Sequence, residues 1–402
     1  MKRTGVTAAR GFRASGVSAG IKKTGPGNEE KDLALVAADV TASVAAVFTK
    51  NLVQAAPIGV CRKHIAASGG RARAIVVNSG NANACTGAVG REAAMRTAVE
   101  AAGLLGVAVN EVLVASTGVI GQTLPVDLLL QALPEAVNGL SADGGSDAAR
   151  AIMTTDTRTK QIALTVETPD GQYTVGGMAK GSGMIHPDMA TTLAFVTTDA
   201  VVESGVLNDC LKQAVDVSFN RISVDGDTST NDMVAVMANG VSGVKVQGEA
   251  STSVFLNGLT KVLTHLAKEV VRDGEGATRL VTVEVSGARD DNEALKVSRT
   301  VSTSPLVKTA VYGADANWGR IVGAVGRAGV DLDPAALTVS ICGLEVLSPG
   351  YRSDYSEADA GRLMKADEVV ISVDLGQGVG FARTWTCDLT HGYIDINASY
   401  RT

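Results

Sequence analysis

The sequence predicts an α/β fold in which large sheets are covered by helices, and three observations carry that prediction. Short β-branched runs alternate with longer segments whose apolar residues recur near every 3.6 positions. Hydrophobic residues make up 45% of the chain against 19% charged, the balance of a folded globular protein. Aromatics are only 3% while 45 of the 402 residues are glycine, so the core is expected to be closely packed Ala, Val, Leu and Ile.

In chain order, AIVV (74–77) and VLVA (112–115) read as buried strands, each running into a glycine-bearing turn, NSGNANACTG (78–87) and STGVIG (116–121). Between them residues 91–106 form a helical pattern closed by Gly106. Residues 127–137 form a second helical pattern, which Pro134 is expected to bend or interrupt. QIALTVET (161–168) alternates as a strand, Asp170-Gly171 reads as a turn, and YTVGGM returns as the hairpin partner. Helical patterns continue over 203–219, over 254–274 ending at Asp273-Gly274, and around 291–302, with the strand LVTVEVSG (280–287) among them. The last strands are expected at 337–343, 369–376 and 381–390, all rich in β-branched residues. No tandem repeat, low-complexity tract or long linker breaks the series.

Composition excludes several classes of function. Lys+Arg 36 against Asp+Glu 42 gives a net charge of −6, so no basic field attracts a nucleic-acid backbone. No apolar run approaches the roughly 18 residues of a membrane span. The five cysteines (Cys61, Cys85, Cys210, Cys342, Cys387) are scattered and never form CxxC, which argues against a disulfide framework or a zinc site. Cys85 is expected to be a buried thiol. The first 28 residues carry Lys2, Arg3, Arg10, Arg13, Lys22 and Lys23 without an acid. Lacking an apolar core, they read as an ordered start of the mature protein, and the expected location is the cytoplasm.

Most of the chemistry is concentrated in KGSGMIHPDMATTLAFVTTDA (180–200). Gly181 and Gly183 allow unusual backbone conformations, Pro187 fixes a turn, and TLAFV continues as a buried strand. The residues support two readings. One is an ordinary turn that opens a strand. In the other, the Thr191 hydroxyl attacks the carbonyl of Ala190, an N-to-O acyl shift and hydrolysis cut the chain, and Thr191 becomes a new N-terminus. A free α-amino group titrates at about 7.7–8.0 and can serve as the base for its own hydroxyl.

The segment resembles the self-cleavage site of the glutamate N-acetyltransferase/ornithine acetyltransferase family of arginine biosynthesis, whose pattern is K-G-x-G-M-I-x-P-x-M-A-T-M-L. The resemblance covers nearly the whole chain. Family-like stretches stand in order at 5–25, 77–87, 115–121, 151–157, 218–232 (SFNRISVDGDTSTND), 273–279 (DGEGATR), 304–320 and 397–402 (NASYRT). Two departures stand out: Thr192 replaces the usual Met after the nucleophile, and Ala316 replaces a frequent Pro. Thr191 follows Ala190 in the frame of the family pattern, and the resemblance therefore implies that it keeps the nucleophile's role; alternation along the strand puts Thr192 on the opposite face.

The resemblance implies stacked β-sheets flanked by helices, an α-β-β-α type sandwich, with fragments 1–190 and 191–402 intertwined after cleavage between Ala190 and Thr191. It implies an acyltransferase that moves acetyl from N2-acetyl-L-ornithine to L-glutamate through an acetyl-Thr191 ester. Thr117 and the Gly118 N–H supply the oxyanion donors, a role suited to a glycine turn at a strand end. Thr154, Lys180, Thr191, Glu275, Asn397 and Thr402 surround the substrate. Lys180 then anchors a substrate carboxylate and Glu275 pairs with the ornithine ammonium. On the residues alone, Lys180 also reads as a solvated strand-end charge, Glu275 as a helix-terminal cap and Asn397 as a turn residue.

No cofactor or metal is expected, acetyl-CoA being a further donor used by some members. Asp225, Asp227 and Asp232 offer oxygens but lack EF-hand spacing, and they read as acids that satisfy backbone donors. The assembled enzyme is expected to hold two copies of each fragment. The rival reading is an N-terminal-nucleophile aminopeptidase or amidase, in which water rather than glutamate removes the acyl group.

Overall fold

The computed structural model describes residues 4–22, 30–186 and 192–399. The first half of the chain runs β1 (Phe12–Val17), β2 (Leu33–Phe48), α1 (Ala56–Ala67), β3 (Arg71–Asn78), α2 (Gly87–Leu105), β4 (Val112–Ser116), α3 (Val126–Asn138), α4 (Gly145–Ala151), β5 (Lys160–Thr168) and β6 (Gly171–Lys180). The middle continues with β7 (Leu193–Thr198), α5 (Ser204–Asp216), β8 (Met233–Ala238) and α6 (Glu249–Arg272). The remainder comprises β9 (Leu280–Ala288), α7 (Asp291–Ser302), α8 (Pro305–Tyr312), α9 (Trp318–Gly326), β10 (Thr338–Ile341), β11 (Leu344–Leu347), α10 (Glu357–Leu363), β12 (Glu368–Asp374) and β13 (Gly380–Cys387), closed by α11 (His391–Ser399).

Two sheets result, both flanked by helices, as the sequence predicts. The first has the order β4-β3-β2-β8-β7-β6-β5 with β1 paired to β2, and the second the order β11-β10-β12-β9-β13. Alternation divides the central strands between two cores. On β7 and β8, Leu193, Phe195, Met233 and Ala235 join the core under α1–α4. Their neighbours Ala194, Val196, Val234 and Val236 join the core under α5 and α6. A third core of Val, Ile, Leu and Ala lies between the second sheet and α7–α10. No described helix is long and apolar enough to cross a membrane.

The order of the first sheet bears directly on a chain cut. β7 and β8 sit in its middle, with β2 on one side and β6 on the other. A cut between residues 190 and 191 would therefore separate strands that stay hydrogen-bonded along two seams, β2·β8 and β6·β7.

The structure corrects some expectations. α3 runs unbroken through Pro134, because buried Leu129, Leu133 and Ala136 seat both sides of it against the core and outweigh the lost backbone bond. The hairpin turn is Pro169-Asp170 rather than Asp170-Gly171: Thr168 pairs with Gly171, which opens β6 at φ 121°. Cys85 is exposed, not buried: in the loop leading into α2 the preceding Asn83 and Ala84 take the buried places and leave the thiol outside. α2 and α6 begin earlier than their apolar patterns, over the small or polar residues from Gly87 and Glu249.

Candidate active site

β6 ends at Lys180 opposite Leu193, the first residue of β7, and Leu193 pairs in turn with Met233, the first residue of β8. Three strand ends thus meet in the middle of the sheet, where the glycine-rich 181–183 segment leaves β6. A cavity of about 180 Å³ opens there. It is lined by six residues singled out from the sequence: Thr117, Gly118, Thr154, Lys180, Glu275 and Asn397. The other three, Ala190, Thr191 and Thr402, lie outside the described residues.

Among the described residues Lys180 is the cation of this cavity, 8% exposed. Its Nζ donates to Thr154 Oγ1 at 2.6 Å and to Thr117 Oγ1 at 3.2 Å, and lies 3.9 Å from Asp156 Oδ2. Burial pulls the ammonium below the usual lysine range, and the Asp156 carboxylate resists that shift. With neutral hydroxyls as its nearest partners, the ammonium keeps its charge available for an anion. Thr117, accepting from Lys180, still has its own O–H to give.

Asp156 holds this corner together. It accepts from the N–H groups of Gly181 at 2.7 Å and Thr154 at 3.0 Å, and from Lys160 Nζ at 2.5 Å. Burial alone would raise its carboxyl, but Lys180, Lys160 and the Gly181 N–H overcome that and bring it down to about 2. Lys160 also donates to Asp273 Oδ2 at 2.6 Å, and Asp273 accepts from the Thr157 hydroxyl and, at 3.1 Å, from its N–H. The Ser182 hydroxyl bonds the Asp273 carbonyl at 2.6 Å, and the Ser182 carbonyl accepts from the Glu275 N–H at 3.0 Å. The 180–183 and 273–275 segments are thereby zipped together.

Glu275, 6% exposed, accepts from Asn397 Nδ2 at 2.8 Å. Its carboxylate lies so close to Gly183 that a Cβ there would fall 2.4 Å from Oε2 and displace the Glu275 side chain. A second glycine is held more strictly, by backbone. At Gly118, with φ 131°, a Cβ would sit 2.3 Å from the Gly80 carbonyl carbon, so the S-T-G turn closes directly on the 78–87 loop. Asp225 serves as an acidic turn residue, accepting from the N–H groups of Met184 at 2.6 Å and Ile185 at 2.9 Å, in agreement with its sequence reading.

Sequence reasoning missed Asp156, Lys160 and Asp273 as site-building residues. A signal was present for Lys160: it shares the even-numbered face of β5 with Ile162, Leu164 and Val166, which pack on the core under α6. A lysine in register with an apolar stripe needs buried counter-charges.

Comparison with known proteins gives the family of the chain. The model of the ArgJ family matches residues 13–402. The arginine biosynthesis bifunctional protein ArgJ of Symbiobacterium thermophilum is 49% identical over 400 residues, covering 99% of this chain and 98% of that protein. The protein of the same name from Chlorobaculum tepidum is 48% identical over 396 residues, covering 98% and 96%. The crystal structure of arginine biosynthesis bifunctional protein ArgJ from Bacillus halodurans is 45% identical with a TM-score of 0.50, covering 51% of this chain and 98% of the solved one. Matched along nearly its whole length, the chain belongs to the ArgJ family.

Proposed function

We propose that this member of the family transfers acetyl from N2-acetyl-L-ornithine to L-glutamate through an ester on Thr191, exposed as an N-terminus by cleavage after Ala190. The observation that carries the reading is the cavity at the head of β7, where an ammonium (Lys180), two hydroxyls (Thr117, Thr154) and a buried carboxylate (Glu275) converge. A substrate with one carboxylate, one ammonium and an acetyl carbonyl needs those groups.

Thr191 Oγ attacks the acetyl carbon while its α-amine takes the hydroxyl proton and passes it to the leaving α-nitrogen of ornithine. The Thr117 hydroxyl and the Gly118 N–H meet the oxyanion, a fixed donor there being worth about 2.7–4 kcal/mol. Lys180 holds the substrate carboxylate, Glu275 faces the ornithine ammonium with Asn397 fixing its carboxylate, and the Thr402 carboxylate closes the site. Glutamate's α-amine then attacks the ester and the steps reverse. No cofactor enters, and acetyl-CoA is a second donor to be tried in the same assay. The placement of β7 and β8 inside one sheet supports fragments that stay joined, and the assembled enzyme is proposed to hold two of each. The solved relative that spans 51% of this chain has the length of one such fragment.

Intact-mass measurement tests this. The wild type should give chains of 190 and 212 residues and Thr191→Ala a single chain of 402. Acetyl transfer by that variant should fall on the order of 10⁴-fold or more. Free acetate released equally fast with and without glutamate would point to a hydrolase instead.

A further inference from the structure

Asp232 immediately precedes β8 and is 2% exposed, yet its Oδ2 has no hydrogen-bond partner among the described residues. It lines the same cavity as Lys180. Backbone bonds on both sides hold it in place. Its carbonyl accepts from the Thr49 N–H at 3.0 Å, and the adjoining Met233 N–H donates to the Thr192 carbonyl at 3.0 Å, so the side chain is fixed at the strand head. Among the described residues, the neighbouring ends of β2 (Phe48, Thr49) and β7 (Thr192, Leu193) offer it no titratable group, and the proposed function adds the Thr191 α-amine before Thr192. The charged groups around the cavity are Lys180, Asp225, Asp227 and Glu275, with Tyr393 also in its lining and the Ser229 hydroxyl beside Asp232.

We propose that Asp232 presents a hydroxyl donor at Oδ2 to a substrate carboxylate, forming a two-pronged carboxylate subsite with the Lys180 ammonium. The inference rests on the proposed function for the identity of the substrates, both of which carry carboxylates. Among the described residues one ammonium faces three other carboxylates, the proposed function adds that of Thr402, and a further negative charge would repel an anionic ligand. A neutral acid instead makes a short O–H···O⁻ bond with it. Burial pushes the Asp232 carboxyl well above the ordinary range, with the Ser229 hydroxyl and Lys180 opposing, which is the direction that keeps the proton on Oδ2.

Initial rates across pH for the wild type, Asp232→Asn and Asp232→Leu test this, with processing of each checked by mass. In the wild type, KM for glutamate should rise with pH as Asp232 loses its proton. The Asn variant keeps an N–H donor and should hold KM within about threefold and lose that rise. The Leu variant should raise KM for both substrates by about tenfold or more, with kcat changed far less. A measurement on unmodified enzyme backs these up: binding of glutarate, which has no amine, should shift a protonated-carboxyl band in the infrared difference spectrum. A Leu variant with wild-type KM, an Asn variant that keeps the pH dependence, or no carboxyl band change would overturn the subsite. Wild-type transfer of acetyl to glutamate, measured in the same series, shows whether the proposed function itself stands.

Discussion

The floor and the wall of this cavity each bury a carboxyl group, and the two groups are treated in opposite ways. On the floor, Asp156 takes an ammonium and two backbone N–H groups at 2.5–3.0 Å and is driven down to about 2. On the wall, Asp232 is also buried but leaves one oxygen without a partner among the described residues, and burial pushes it up. Burial opposes ionisation at both. What differs is the supply of donors, and the difference separates a charge used to build the site from an acid left open to its contents.

The largest effect is expected from taking the floor's donor away. Lys160 is 1% exposed and its Nζ sits between Asp156 and Asp273. Lys160→Met leaves two buried carboxylates without the ammonium that bridges them and should cost about 3–5 kcal/mol in urea unfolding. The variant also loses a positive charge that lowers the Lys180 pKa. The Lys180 ammonium is then drawn toward Asp156 and away from Thr117, raising KM for carboxylate substrates. A loss below about 1 kcal/mol would mean that the floor is no more dependent on paired charge than the wall.

A smaller effect, but one of opposite sign at the two sites, is expected from acid. Asp156 titrates at about 2 folded and at about 3.9 unfolded, so it holds fewer protons when folded. Its contribution is complete above about pH 4 and is lost as pH falls toward 2, on the order of 2.5 kcal/mol. Asp232 is shifted upward, so its contribution is complete below about pH 4 and is lost as pH rises through its folded value. Against the wild type, Asp156→Asn should therefore lose its disadvantage as pH drops. Asp232→Asn should gain relative stability as pH rises from about 4. Parallel pH profiles for the two variants would erase the contrast.

How much of the molecule is legible in its chain obeys the same division. Strands such as 74–77, 112–115 and 280–287 are legible because each alternates or is continuously apolar, and local pattern is what sets a strand's faces. Thr117, Gly118, Thr154, Lys180, Glu275 and Asn397 stand out through short motifs whose residue types suit the chemistry, although only folding brings them to one cavity. Lys160, Asp156 and Asp273 do not, since an ion network linking β5 to the end of α6 has no local signature beyond one charge on an apolar face. In sequence the acids of 225–232 look alike, as turn residues that satisfy backbone donors. That holds for Asp225 and fails for Asp232, because the two differ only in where the sheet places them. Pro134 and Cys85 mislead for the converse reason: tertiary packing decides a helix's continuity and a thiol's exposure.

The smallest expected effect sharpens what an unpartnered atom means. Thr192 Oγ1 is also buried without a hydrogen-bond partner among the described residues, and it lines the same cavity. If such atoms were only packing faults, Thr192 and Asp232 should respond alike to replacement by apolar groups of similar shape. Thr192→Val exchanges the hydroxyl for a methyl of nearly equal size. It should stabilise the protein by up to about 1 kcal/mol, because a buried donor left unpaired is itself a cost. Cleavage and KM should stay at wild-type values, since Thr191 carries the nucleophile and the family pattern places an apolar Met at this position. Asp232→Leu should instead raise KM while any gain in stability is of the same small size. Uncut protein from Thr192→Val would move the nucleophile by one residue, and with it every role assigned around Thr191.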